Sequence, residues 1–348
     1  MRTVPLGRTG LQLSELMLGS MTWGTQNTVD EAHAQIDMAL DRGINCIDTA
    51  EMYPVNPISR ETVGRSEEII GKWVAKTGRR DDVILATKHS GEGLGYVRDG
   101  APISSATIPE TIEGSLKRLQ TDVIDLYQFH WPNRGSYMFR KNWDYDPSGQ
   151  NRAETIGHIE DTLEALQKLV DQGKLRHFGL SNESAWGTSQ WVRVAEDRGW
   201  PRVQSVQNEY SLLCRHYDTD MAEMSVNEDV TLLAFSPLAA GLLTGKYAPD
   251  VTPDGSRRSL VPDMGGRLKS GRVWPAIDAY AAIAEKHGLS LPQMALAWCR
   301  TRPFKVSAIF GATTLEQLDV ALGAADVEVS DEVLQEISAA HRQHPMPY

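Results

Sequence analysis

Three residues stand where short apolar runs stop, and a fourth follows one of them closely. Asp48 closes "INCID" (44–48), Lys88 closes "VILATK" (83–88) and His130 closes "VIDLYQFH" (123–130); Tyr53 follows Asp48 by five positions, just before Pro54. A free phenol titrates near ~10 and gives up its proton reluctantly at neutral pH. A nearby ammonium favours the phenolate and lowers that value, at about 1.4 kcal/mol per pKa unit. A buried lysine in turn needs a counter-charge, a task suited to a carboxylate at the neighbouring strand end. A histidine can donate a hydrogen bond to a reacting oxygen and orient it. The set suits proton donation to an oxygen. Singly, each has an ordinary explanation: Asp48 as a helix cap, Lys88 as a solvated strand end, His130 as a satisfied core histidine. The chemistry needs a fold that gathers them on one rim.

The pattern around them supplies such a fold. An amphipathic run ending in charge and glycine, then a short apolar run, recurs at "ALDRGINCID" (39–48), "AKTGRRDDVILATK" (75–88), "LVDQGKLRHFGLSN" (169–182) and "AEDRGWPRVQSVQ" (195–207). Glycine just past a helix end is a C-cap signature, and short, mostly continuous apolar runs read as strands covered on both faces. "TVDE" (28–31) is a capping box opening a helix. Adding "ELMLG" (15–19), the run to His130, "VTLLAFS" (230–236) and "VSAIFG" (306–311) gives eight strands alternating with helices. Eight such units predict a (β/α)8 TIM barrel, with a doubly wound sheet as the alternative. Residues 3–14 read as an N-terminal β-hairpin capping the barrel bottom, and residues 1–348 as a single domain. Long connections at 131–157 and 247–275, after strands four and seven, belong on the face where barrel chemistry sits. Further polar strand ends point there too: Ser181–Asn182, Gln207–Asn208 and Ser236–Pro237.

Composition narrows the function. A net charge of -11 with no dense basic run argues against nucleic acid or an anionic membrane as partner. Three scattered cysteines, no apolar leader and no membrane-length apolar window suggest a cytoplasmic soluble protein. No HxH or HExxH spacing occurs among nine histidines, which disfavours a metal-dependent hydrolase built on His130 and Asp48; no metal is expected. "GEGLG" (91–95) misses the dinucleotide fingerprint and reads as a loop. In "FSPLAAGLLTGK" (235–246), Ser236 reads as an N-cap and Pro237 as the first residue of a helix whose N-terminus suits a pyrophosphate.

The combination "DTAEMY" (48–53), "ATK" (86–88), "LYQFHW" (126–131), "GLSN" (179–182), "VQNEYSLL" (206–213) and "SPLAAGLLTGK" (236–246) resembles the aldo-keto reductases, and within them the Tas-like bacterial branch. The resemblance implies an NADPH-dependent oxidoreductase acting on a small-molecule aldehyde or ketone, with Asp48, Tyr53, Lys88 and His130 catalytic and Tyr53 the proton donor. It implies nicotinamide contacts from Phe235, Ser181, Asn182 and Gln207. It also implies cofactor contacts from Ser20, Met21, Asp48, Ser236, Pro237, Leu238, Gly241, Leu243 and Lys246. Gly311, Thr313 and Gln317 in "GATTLEQL" (311–318) match its second phosphate and adenine segment, although Val320 and Ala321 replace the family's usual acid and asparagine. Arg257 matches an arginine that meets the 2′-phosphate of NADP(H), with Arg258 in a competing register. Trp23, Met52 and Trp131 are the expected substrate walls. They favour aromatic aldehydes, while Arg134, Arg140, Lys141 and Arg152 leave room for an anionic tail. The alternative is an NADP-binding regulatory protein of this fold with little turnover, as in channel-associated β subunits.

Overall fold

The structure, a computed structural model, describes residues 1–348. Two short strands, β1 (Thr3–Pro5) and β2 (Gln12–Ser14), form the antiparallel hairpin. Eight parallel strands close a barrel: β3 (Leu16–Gly19), β4 (Cys46–Asp48), β5 (Ile84–His89), β6 (Ile124–Phe129), β7 (Leu175–Ser181), β8 (Val203–Glu209), β9 (Thr231–Phe235) and β10 (Val306–Phe310), with β10 pairing back onto β3. The crossovers carry α1 (Val29–Asp41), α2 (Arg65–Thr77), α3 (Thr107–Leu119), α4 (Arg152–Asp171), α5 (Ala185–Arg198) and α6 (Asp220–Asn227). α7 (Arg257–Leu260), α8 (Val273–Lys286) and α9 (Leu291–Cys299) lie between β9 and β10; α10 (Leu315–Leu322) and α11 (Asp331–Gln343) follow. No helix is long and apolar enough to cross a membrane.

Local signals act as read. Thr28 and Glu31 form the reciprocal capping box of α1, and Gly78 and Gly199 take the left-handed C-cap positions of α2 and α5. The strand boundaries shift slightly: β5 continues through His89 and β8 through Glu209, one or two residues past the expected ends.

Two apolar bodies hold the barrel. A 76-residue core joins the strands' outer faces to the helices. Inside the bottom of the barrel, Leu6 and Leu13 of the hairpin segment pack with Met17, Cys46, Ala86, Leu126, Leu233 and Ile309 as a separate plug. Strand register then sets the polar layer above it. Asp48 is level with Gly19 and Ala86, Lys88 with Gln128, Gln128 with Gly179, and Ser181 with Gln207. Period-two alternation turns alternate residues of each strand into the barrel, so these side chains share one interior.

Candidate active site

The four polar residues converge. Lys88 Nζ, fully buried, donates to Asp48 Oδ2 at 2.7 Å, to the Thr49 carbonyl at 2.7 Å and to the Tyr53 hydroxyl at 3.5 Å. His130 packs its ring edge-on against Tyr53, centroids 5.9 Å apart, and its buried Nδ1 has no partner. Burial would strip the charge from Lys88, but Asp48 and Tyr53 hold its pKa above the ordinary lysine value. Burial, then the Lys88 charge, pushes the His130 imidazole well below its ordinary value, so it stays neutral. Tyr53 departs from expectation: burial raises its phenol above the ordinary value, and Lys88 pulls it down only in part. The lysine therefore offsets desolvation instead of producing a low net pKa.

The amides beneath the set were only partly foreseen. Gln207 Nε2 donates to Asp48 Oδ1 at 2.8 Å and to Gln128 Oε1 at 3.1 Å, so both its hydrogens face into the barrel. Gln128 Nε2 lies 3.4 Å from the same carboxylate oxygen. Gln128 was overlooked, though it stands two residues before His130 and so shares its strand face. Ser181 Oγ donates to the Gln207 carbonyl, and Asn182 Nδ2 to that of His130 at 2.8 Å. Asn182 Oδ1 is buried without a partner, an acceptor open to a ligand amide.

Other expected cofactor residues separate by exposure. Ser20 is fully buried, its Oγ tied to the Asp48 carbonyl at 2.9 Å, and Leu243 is buried in the core. Met21, Phe235 and Leu238 are half-buried, Gly311 is open to solvent, and Lys246 is exposed with its ammonium 5.2 Å over the Tyr247 ring. No regular helix begins at Ser236–Pro237, contrary to expectation. Ser236 is left-handed (φ 52°), and the 3-10 segment Ala239–Thr244 breaks at Ala240 (φ 60°) and Gly241 (φ 101°). What remains is a coiled turn. Thr314 instead caps α10, where the Thr313 N–H and hydroxyl meet Gln317 Oε1 at 3.1 Å. A side chain at Gly311 would come within 3.1 Å of the Gly19 carbonyl. Of the two departures from the family pattern, Val320 is exposed and Ala321 is buried in the core.

The two arginines also separate. Arg258 caps the carbonyls of Ala248, Pro249 and Val251. Arg257 pairs with no carboxylate; it lies against Met21 Sδ at 3.8 Å, and burial and Arg267 lower its pKa to about 10.

Among the expected substrate walls, Trp23 is a correction. It is fully buried, with Nε1 on Gln35 Oε1 at 2.9 Å, because the chain dives from β3 toward α1. Met52 and Trp131 belong to a small apolar cluster beside Tyr53, with Met21 and Leu94. The "GEGLG" segment is a loop, as read, and it seats Trp131: the indole Nε1 donates to the Glu92 carbonyl at 3.1 Å, and a side chain at Gly91 would meet the indole at 2.3 Å. Phe139 packs edge-on to Trp131 at 6.4 Å. Arg134 and Arg140 pair with Glu183 and Glu209, which leaves neither free for a substrate anion.

Comparison with known proteins agrees with this geometry. The profile of the Aldo/keto reductase family matches residues 15–342. Protein tas of Escherichia coli strain K12 is 42% identical over 340 residues, covering 97% of this chain and 96% of its own length. The uncharacterized oxidoreductase YrpG of Bacillus subtilis is 33% identical over 335 residues (95% and 93%). A rice protein named as a probable voltage-gated potassium channel subunit beta is 32% identical over 349 residues (98% and 96%). With barrel, polar rim and a match along nearly the whole sequence in agreement, the chain belongs to the aldo/keto reductase family.

Proposed function

We propose that this oxidoreductase reduces aldehydes and ketones to alcohols with NADPH, with residues 1–348 acting as one catalytic domain and Tyr53 donating the proton. The observation that carries this reading is the state of the Tyr53 hydroxyl. Its oxygen accepts from Lys88, and no protein acceptor takes its own proton. That proton is available to a substrate oxygen.

The residues present fit a nicotinamide dinucleotide. Asn182 Oδ1, buried and unpartnered, suits a carboxamide N–H, and Gly311 and the Thr314-capped start of α10 suit a phosphate. Arg257, a cation of the site with no carboxylate partner, suits a 2′-phosphate and favours NADP(H) over NAD(H). When bound, the dinucleotide supplies hydride to the carbonyl carbon. Tyr53 protonates the oxygen, Lys88 stabilises the phenolate left behind, and Asp48, held by Gln207, keeps Lys88 charged. His130, neutral, donates a hydrogen bond that orients the carbonyl. Trp131 and Met52 offer apolar walls suited to aromatic aldehydes.

The test is a nicotinamide-absorbance assay with NADPH and NADH against nitrobenzaldehyde, medium aliphatic aldehydes and glyceraldehyde. We expect turnover with NADPH and a higher kcat/KM for the aromatic aldehyde. Tight NADPH binding without turnover on any carbonyl would overturn the enzymatic reading in favour of a regulatory NADP-binding protein.

A further inference from the structure

Next to the candidate catalytic set lies a second buried charge cluster. Glu209, the last residue of β8, is 6% exposed. Its Oε1 accepts from Arg267 Nε at 3.0 Å and Nη2 at 2.5 Å, and from the Tyr348 hydroxyl at 3.2 Å. Its Oε2 accepts from Arg140 Nη1 at 2.7 Å. These partners come from 69, 58 and 139 residues away along the chain, one from each long loop and one from the last residue described. The Arg267 guanidinium also lies 5.6 Å over the Tyr348 ring. Burial alone would raise the Glu209 carboxyl, but Arg267 and Arg140 hold it below its ordinary value, so it stays an anion.

Each strap leads back to the site. On the first loop, Phe139 and Arg140 are consecutive left-handed residues (φ 57° and 64°), an unfavourable pair that needs outside support. Arg140 supplies it through Glu209, and the Phe139 ring then rests on Trp131. On the second loop, Arg267 donates to the Met264 carbonyl, the Met264 N–H to Val261, and the Val261 N–H to Arg257. That ladder ends on the arginine suited to the cofactor phosphate. Arg134 and Glu183 fasten the start of the first loop separately, so Glu209 governs its Phe139–Arg140 end.

We infer that Glu209 is a positioning residue whose one carboxylate fastens the Trp131 loop and the Arg257 loop to the same barrel strand, setting the aldehyde and dinucleotide sites together. The kinetic part rests on the reductase reading; the structural part does not.

The experiment is Glu209→Gln in the full chain, read by circular dichroism, limited trypsin digestion, NADPH affinity from protein fluorescence, and steady-state kinetics. We expect a folded protein cleaved faster within 131–151 and 245–272, with Kd for NADPH and KM for the aldehyde each raised about tenfold and kcat within about twofold. Should that variant not fold, two milder ones separate the straps. Arg140→Gln should raise mainly the aldehyde KM, and Arg267→Gln mainly the NADPH Kd. Wild-type cleavage and affinities in folded Glu209→Gln, or a loss confined to kcat, overturns the inference. So does an equal effect of Arg140→Gln and Arg267→Gln on both ligands. Cleavage and NADPH affinity remain readable if no carbonyl is ever reduced, so failure of the reductase reading is distinguishable from failure of this one.

Discussion

Two tyrosines in this molecule sit beside charges of opposite sign. Tyr53 faces a cation: Lys88 donates to its oxygen, and the phenolic proton has no acceptor in the protein. Tyr348 faces an anion: its hydroxyl donates to Glu209, so its proton is committed to a structural bond. Both phenols are raised by burial, Tyr348 further above its ordinary value. The difference teaches that a buried phenol becomes a usable acid through the sign of its neighbour. Near a carboxylate, leaving as a phenolate adds like charge; near an ammonium, it completes an ion pair. Arg257, whose pKa is lowered by burial and by Arg267, also feels the charges of Tyr53 and Glu209.

The contrast can be broken most directly at Tyr53. Tyr53→Phe should lower kcat for carbonyl reduction by about 10²–10⁴-fold with NADPH affinity nearly unchanged, since only the proton donor is lost. Near wild-type turnover on a good aldehyde would remove Tyr53 from its role. Lys88→Met should cost a similar factor and, by leaving Asp48 buried without its cation, about 3–5 kcal/mol of stability in urea unfolding. On the cofactor side, Arg257→Ala should weaken NADPH roughly ten- to a hundred-fold and NADH far less, the loss of a charged hydrogen bond worth about 1.5–3 kcal/mol. Equal weakening of both dinucleotides would place the phosphate partner elsewhere.

Smaller effects sharpen the comparison. Trp131→Ala should raise KM for aromatic aldehydes severalfold with kcat nearly constant, because the ring holds ground and transition states alike. Tyr348→Phe should cost about 1.5–3 kcal/mol of stability and leave kcat alone; a loss of kcat as large as that of Tyr53→Phe would erase the distinction drawn above. The pH profile offers the mildest test. A depressed histidine pKa means that His130 gains its proton only as pH falls well below 6.5. The kcat/KM for reduction should therefore pass through pH 6.5 without an inflection, and a clear fall centred there would show a titrating His130.

The barrel was legible because its strands carry local signals: short apolar runs, most with a polar terminus, and at Gly78 and Gly199 a glycine-capped helix just before. Asp48, Lys88 and His130 could be read because strand ends meet at one rim whatever the loops do. Trp23 misled for a physical reason. Its place just past β3 resembles that of Trp131 past β6, but the chain after β3 turns down to bond Gln35. Ser236 misled because serine followed by proline reads as a helix start, while the backbone there turns left-handed. The Glu209 cluster left no local trace at all. Its members are single polar residues in separate segments, and only the folded chain brings them together.

The apolar plug at the barrel bottom has a consequence for the buried charges above it. Leu6 and Leu13 close one end of the tube with hydrocarbon, so the Asp48–Lys88 pair sees a low-dielectric floor and a single opening. Field lines from that pair have only the mouth through which to reach water, where they are screened. A ligand filling the mouth would remove that screening without touching either charge. The barrel is thus an electrostatic cul-de-sac, in which filling its one mouth would strengthen the action of Lys88 on Tyr53.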